Sequence, residues 1–280
     1  MTIIRGSVDN IQAGKSRITI MMEDKTQREA EIEIATLSDF QELKGLVVLT
    51  NKSYGNEDLA IKLKDRTGRS PLILLQNGLG VERPFVSNNF KEIYRCVLFA
   101  TAQALDEHRV RYKPVAVSPV GTIKVQGTDL AGVVDVMNTP EFRFRTEERI
   151  QEVIWTKAII NCVFNSICPL IETDNGIFHR DPSVLGIARQ VIEEGTAVAQ
   201  AMGLPLVASE IESQLLLISR KSDGQFISTF QDIRNRRRTE IDTLNFEIVS
   251  IAKTLAKRSE VQKIEILGEL VRLKSDLSRS

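Results

Sequence analysis

In the stretch Trp155-Thr-Lys-Ala-Ile-Ile-Asn-Cys-Val-Phe-Asn165 nearly every residue is apolar except Lys157, Asn161 and Asn165, spaced i, i+4, i+8. On an α-helix these three fall within about 80° of one another and form a single stripe. A helix this apolar is expected to be buried nearly all round. Its one amine and two amides are then partly desolvated, which is costly unless something hydrogen-bonds them. An internal polar network or a solvent-facing stripe would satisfy them, and so would a small polar ligand. In the last case the lysine gains a use, because apolar surroundings lower an amine's pKa toward the range of a proton donor at neutral pH.

A second polar cluster, Ser228-Thr-Phe-Gln-Asp-Ile-Arg-Asn-Arg-Arg-Arg-Thr-Glu240-Ile-Asp242, contains Arg234 and Arg236 to Arg238. Alone, those arginines have the charge of a nucleic-acid patch. Asp232, Glu240 and Asp242 flank them, aromatic residues do not interleave them, and the chain balances 37 basic against 37 acidic residues. Zero net charge gives no long-range field toward nucleic acid or anionic lipid, so neither partner is expected. Three cysteines (Cys96, Cys162, Cys168) are an odd number for a disulfide framework, and two histidines do not combine with them at a zinc spacing. No metal is expected. A reducing, cytoplasmic compartment fits this cysteine usage, and Met1 to Arg5 lack the apolar core of a secretory signal.

The elements that must position these residues follow two patterns. With 280 residues, 42% of them hydrophobic, the chain has the length of about two globular domains. No apolar run approaches the ~18 residues of a membrane span. Up to about residue 145, short strands alternate with polar breaks and helices. Ile18 to Met22 and the alternating Ala30-Glu-Ile-Glu-Ile-Ala35 predict a hairpin. Leu46-Val-Val-Leu-Thr50 and Leu72-Ile-Leu-Leu75 have the pattern of parallel strands buried on both faces. This alternation predicts an open α/β sheet with ligands at the carboxyl ends of its strands, and Lys52 and Asn77 lie just past two such ends. From residue 146 to 280 the chain reads helical. Asp181-Pro182 starts a helix that Gly203-Leu-Pro205 ends, and further helices fit 147–168, 207–220, 228–256 and 260–277.

Taken together, four segments resemble the ketopantoate reductase family (2-dehydropantoate 2-reductases), and the resemblance runs along essentially the whole chain. They are Leu75-Gln-Asn77-Gly-Leu-Gly80, the Trp155 to Asn165 stretch, Asp174-Asn175-Gly176, and Phe230-Gln-Asp-Ile with Arg238-Thr-Glu240-Ile-Asp242. The resemblance implies an α/β fold, with a truncated Rossmann-like NADP-binding domain over 1–145 and an all-α substrate and catalytic domain over 146–280. It implies NADPH-dependent reduction of ketopantoate, a 2-keto acid, to pantoate in pantothenate biosynthesis, by a monomer or homodimer. Lys157 matches the family's general acid and Glu240 the carboxylate that accepts from the substrate's hydroxyl. Asn161, Asn165 and Asn175 match substrate-contacting asparagines, and Ser228 a residue that hydrogen-bonds the substrate carboxylate. Arg5 matches the arginine for the adenosine 2′-phosphate, Lys52 a lysine beside the cofactor, and Asn77 the residue beside the nicotinamide.

The chain departs from that pattern at its start. It has no strand followed by the G-x-G-x-x-G turn that cradles a pyrophosphate, and Met1 falls about where the family's second strand begins. One βα unit of roughly 20 to 30 residues is expected to be lacking. Its strand is central in the doubly wound order, so its two neighbours should lose their shared partner. Gln225 stands where the family usually has asparagine, Phe246 where glycine often follows the asparagine, and Ser259-Glu-Val-Gln262 has no proline. Two other functions fit the same residues. One is a non-catalytic relative that binds a small keto or hydroxy acid, and the other is a reductase of another 2-keto acid.

Overall fold

The computed structural model describes residues 1–5, 13–125 and 129–280. The chain divides into two units. The first comprises Met1–Asn51, Gly55–Leu75 and Glu82–Ile150, and the second Lys52–Tyr54, Gln76–Val81 and Gln151–Ser280. The main boundary therefore falls at residue 150, five past the change of pattern at 145. Two short segments of the N-terminal half group with the helical unit.

The first unit contains, in chain order, β1 (Thr2–Arg5), β2 (Gly14–Met21), β3 (Gln27–Thr36), β4 (Val47–Leu49), α1 (Asn56–Leu63) and β5 (Leu72–Leu74). It continues with α2 (Arg83–Ser87), β6 (Ile93–Cys96), β7 (Ala100–Ala104), β8 (Arg109–Pro114), β9 (Ser118–Lys124), α3 (Leu130–Met137) and β10 (Phe144–Thr146). The predicted hairpin is β2 and β3, antiparallel from Gly14 opposite Ile34 to Met21 opposite Gln27. Among the described residues the strands form two sheets of five, in the orders β1-β3-β2-β8-β7 and β10-β9-β6-β5-β4, so the hairpin stands in a sheet separate from that of β4 and β5. The cause is polarity. The hairpin carries exposed cross-strand charge pairs, Lys15 with Glu31 and Arg17 with Glu29, which could not enter a sheet covered on both faces.

The second sheet holds the core. Ile73, Tyr94, Cys96, Val120 and Phe144 pack with Val133 and Val134 of α3. β5 is buried along its length and pairs in parallel with β4 and β6. β4 departs from the prediction of burial on both faces: it is the terminal strand and Val48 is 41% exposed. β1 is likewise the terminal strand of its own sheet.

The helical unit contains α4 (Ile150–Leu170), α5 (Ile177–Arg180), α6 (Pro182–Ala201), α7 (Ala208–Lys221), α8 (Ser228–Arg234), α9 (Asn245–Thr254) and α10 (Gln262–Arg279). α6 begins as the sequence predicts, with the Asp181 carboxylate accepting from Ser183 N and Val184 N and Pro182 in the first turn. The single helix predicted over 228–256 is two helices. Arg236 takes the left-handed φ of +54° just past α8, and the chain turns through Arg237–Leu244 before α9 starts. α4 is long and apolar enough to cross a membrane by length and composition, nearer to a span than its interrupted runs imply. Some 72% of its most apolar stretch is buried in the protein, the position of a core helix.

Candidate functional site

All but one of the candidate residues lie in the helical unit. Arg5, at the end of β1, belongs to the first unit, is exposed, and its side chain has no hydrogen bond or ion pair among the described residues. The rest are carried by α4, by the loops leaving β4 and β5, by the turn after α4, and by the segment from α8 to α9.

The α4 stripe has the predicted burial. Ile154, Trp155, Ala158, Ile159, Cys162, Val163 and Phe164 are all buried, whereas Lys157 and Asn161 are half-buried. Asn165, the deepest of the three, is 3% exposed, and its Oδ1 accepts from Thr229 N at 3.4 Å. It therefore helps satisfy the first turn of α8, whose Ile227 cap supplies no side-chain acceptor. Ser228, beside Thr229, is exposed at that helix start. Asn175 reaches the same region from another direction, since its backbone N–H donates to Gln225 O at 2.9 Å, three residues before Ser228.

Glu240 is held on several sides. Its Oε2 accepts from Lys52 Nζ at 2.9 Å, and Lys52 also donates to Asp232 Oδ2 at 3.2 Å. Asp232 and Glu240 expose only 8% and 11% of their side chains, against 40% for Lys52. Burial works against the Lys52 ammonium, but the two carboxylates outweigh it and raise its pKa above 10.5. Asp232 also meets Arg237 Nε at 3.1 Å. Ser53 and Thr243 share a hydroxyl contact of 3.3 Å, and Leu79 N donates to Thr243 O at 2.8 Å, which ties the Asn77 loop to the Glu240 segment. Gly78 makes that approach possible: its φ is +98°, and a Cβ there would lie 2.6 Å from the Thr243 carbonyl oxygen. Asn77 is exposed on this loop.

Among the sequence candidates, direct contacts therefore join Lys52 with Glu240, and place Asn165 on the residue beside Ser228. Lys157 and Asn161 share the α4 face. Arg5 is joined to none of them. Sequence reasoning missed the parts played by Asp232, Ser53 and Thr243. Asp232 counted there only as an acid flanking the arginine run, although its place in Phe230-Gln-Asp-Ile was a signal. The arginine run itself is largely engaged within the protein: Arg237 meets Asp232, Arg238 meets Asp242 at 3.1 Å, and Arg238 also lies over the Tyr54 ring at 4.8 Å. The three thiols are buried and free of disulfides, and burial pushes Cys168 up to about 12.

Comparison with known proteins covers both units. Residues 2–121 match the family described as "Ketopantoate reductase PanE/ApbA", and residues 149–275 match "Ketopantoate reductase PanE/ApbA C terminal". A 2-dehydropantoate 2-reductase of Pyrococcus abyssi is 27% identical over 219 residues, 77% of this chain and 71% of that one. Among solved structures, a PanE/ApbA family ketopantoate reductase from Ralstonia eutropha JMP134 has a TM-score of 0.81 at 22% identity, covering 94% of this chain and 86% of its own. A D-mandelate dehydrogenase, solved as a ternary structure with NADH and anilino(oxo)acetate, has a TM-score of 0.81 at 20% identity with the same coverage.

Proposed function

The chain belongs to the ketopantoate reductase family, and from that premise we propose that it reduces ketopantoate to pantoate with NADPH, a step of pantothenate biosynthesis, in the cytoplasm. One observation carries the reading: Lys157, Asn161 and Asn165 form a polar stripe along a helix on which Ile154, Trp155, Ala158, Ile159 and Cys162 to Phe164 are buried core. Lys157 Nζ gives its proton to the keto oxygen as negative charge develops there, and a cation at that atom stabilises the alkoxide. Asn161, Asn165 and Asn175 orient the substrate, and Ser228 hydrogen-bonds its carboxylate. Glu240 accepts from the substrate's hydroxyl, and Lys52 and Ser53 fix where its oxygens stand.

A nicotinamide cofactor, when bound, would supply the hydride that the keto carbon accepts. Arg5 suits its 2′-phosphate, as an exposed guanidinium with no carboxylate partner among the described residues. Asn77, exposed on the loop after β5, would help hold the nicotinamide end. Lys52 would also serve the cofactor side of the site, but its ammonium is already held between two carboxylates, so its task is to place Glu240 rather than to neutralise a phosphate.

The test is NADPH oxidation with ketopantoate, in this chain and in one preceded by a strand and a G-x-G-x-x-G turn. Lys157→Ala should lower the rate by ~10² to 10³. Absence of turnover in both chains, or an unchanged rate in the variant, would refute the assignment. The likeness to the D-mandelate dehydrogenase with NADH and anilino(oxo)acetate favours one second reading, reduction of another 2-keto acid. A panel of 2-keto acids with NADPH and NADH separates the two, because a site built to pair a hydroxyl strongly rejects substrates lacking one.

A further inference from the structure

Behind Asn175 lies a polar cluster that the proposed chemistry does not use. Asn175 is 7% exposed, and its side-chain Oδ1 is buried with no hydrogen-bond partner among the described residues. Its backbone, in contrast, is bonded on both sides. The N–H donates to Gln225 O at 2.9 Å, and the carbonyl accepts from Ser219 Oγ at 2.8 Å. Ser219, on α7, is fully buried, and its hydroxyl also stands 3.1 Å from His179 Nδ1. A serine has one hydroxyl proton, and Asn175 O receives it. His179 must then be the donor to Ser219, which fixes the proton on Nδ1.

The flanking residues are bound as firmly. Asp174 Oδ1 accepts from Gly176 N at 2.7 Å and Gly224 N at 3.2 Å, and its Oδ2 accepts from Arg180 at 2.9 Å. Arg180 also pairs with Asp223. A Cβ at Gly176 would meet the carboxylate of Asp223 and the guanidinium of Arg180, so a side chain there would have to displace that ion pair. An amide so buried, with its backbone fixed and its acceptor oxygen unmatched, is preset for a donor that the described residues do not provide.

We propose that Ser219, oriented by His179, is a positioning residue that presets Asn175 for the keto-acid substrate. This rests on Asn175 being a substrate residue, as proposed above. Removing the Ser219 hydroxyl leaves the Asn175 carbonyl without its donor and lets the amide drift, so ground-state and transition-state contacts weaken together. That raises KM with little change in kcat.

The experiment uses the full chain with Ser219→Ala, Asn175→Ala and the double variant. Each single change is expected to raise KM for ketopantoate about tenfold, the scale of one hydrogen bond. KM for NADPH should stay unchanged and kcat should stay within about threefold. The double variant should be no worse than Asn175→Ala alone, because the serine acts only through the asparagine. His179→Asn keeps a donor near the position of Nδ1 and should stay near wild type, whereas His179→Ala should not. An unchanged KM in Ser219→Ala, or additive losses in the double variant, overturns the proposal. Hydrogen exchange gives a reading independent of turnover. The Asn175 amide should exchange at least tenfold faster in Ser219→Ala, and an unchanged rate sinks the positioning role. A wild-type chain that turns over no keto acid but shows faster exchange in the variant refutes the substrate reading while upholding the positioning.

Discussion

Replacing Lys52 by methionine removes the cation between two carboxylates that are about nine-tenths buried, and the structure sets the scale of the loss. At 2.9 Å from Glu240 and 3.2 Å from Asp232, each attraction is worth about 5 to 6 kcal/mol before desolvation, at the effective dielectric of a protein surface. Removing one partner of a fully buried pair costs ~3 to 5 kcal/mol. Lys52 keeps 40% of its side chain in water, so solvent can partly replace it, and Arg237 still serves Asp232. The net expectation is a loss of ~1 to 3 kcal/mol. Trp155, the chain's single tryptophan, is 3% exposed on α4, so its fluorescence follows unfolding of this unit in urea. In Lys52→Met/Glu240→Gln the loss should be smaller than the sum of the two single losses by about 1 kcal/mol, because the neutral amide no longer needs a cation. The pH dependence has a definite sign. The Lys52 pKa is raised on folding, so its contribution is complete below 10.5 and is lost only as pH rises through the higher folded value. The gap between wild type and Lys52→Met should thus be constant from neutral to mildly alkaline pH. Strict additivity of the two substitutions, or a loss below about 0.5 kcal/mol, would refute the idea that Lys52 holds Glu240.

Two further predictions concern the loops. Gly78→Ala combines a positive φ with a Cβ pressed on the Thr243 backbone, and should cost ~2 to 4 kcal/mol in the same fluorescence assay, whereas Gly186→Ala on α6, with open space around it, should be near neutral or stabilising. Arg180, by hydrogen bond, followed by the Gly176 and Gly224 amides, lowers Asp174 to about 2 from an ordinary 3.8. Its stabilising effect is therefore complete above about pH 4 and is lost as pH falls through about 2. Asp174→Asn should narrow the difference in urea midpoint between pH 5 and pH 3, and an unchanged difference would count against the pairing.

Much of this was legible in the sequence because it depends on local rules. The i, i+4, i+8 spacing of Lys157, Asn161 and Asn165 put them on one helix face, and the apolar residues between them required that the other faces be core. Asp181-Pro182 marked the start of α6, and alternation marked the β2–β3 hairpin. Periodicity says nothing of what happens where it lapses. The run 228–256 reads as one helix, yet the left-handed turn at Arg236 breaks it, and that break lets Glu240 and Asp232 face one lysine from 180 and more residues away in sequence.

The sequence by itself determined the polar stripe on α4 and, through its resemblance to a family, the expected class of chemistry, since residue types and their repeat along a helix are local properties of the chain. Only the tertiary structure decided which charges are matched. Lys52 proved to be neutralised by Asp232 and Glu240, Asn165 partly bound to the start of α8, and the Asn175 oxygen buried and left open. The physical reason is that hydrogen-bond satisfaction is a property of the surroundings, and the surroundings exist only once segments far apart in the chain have packed together.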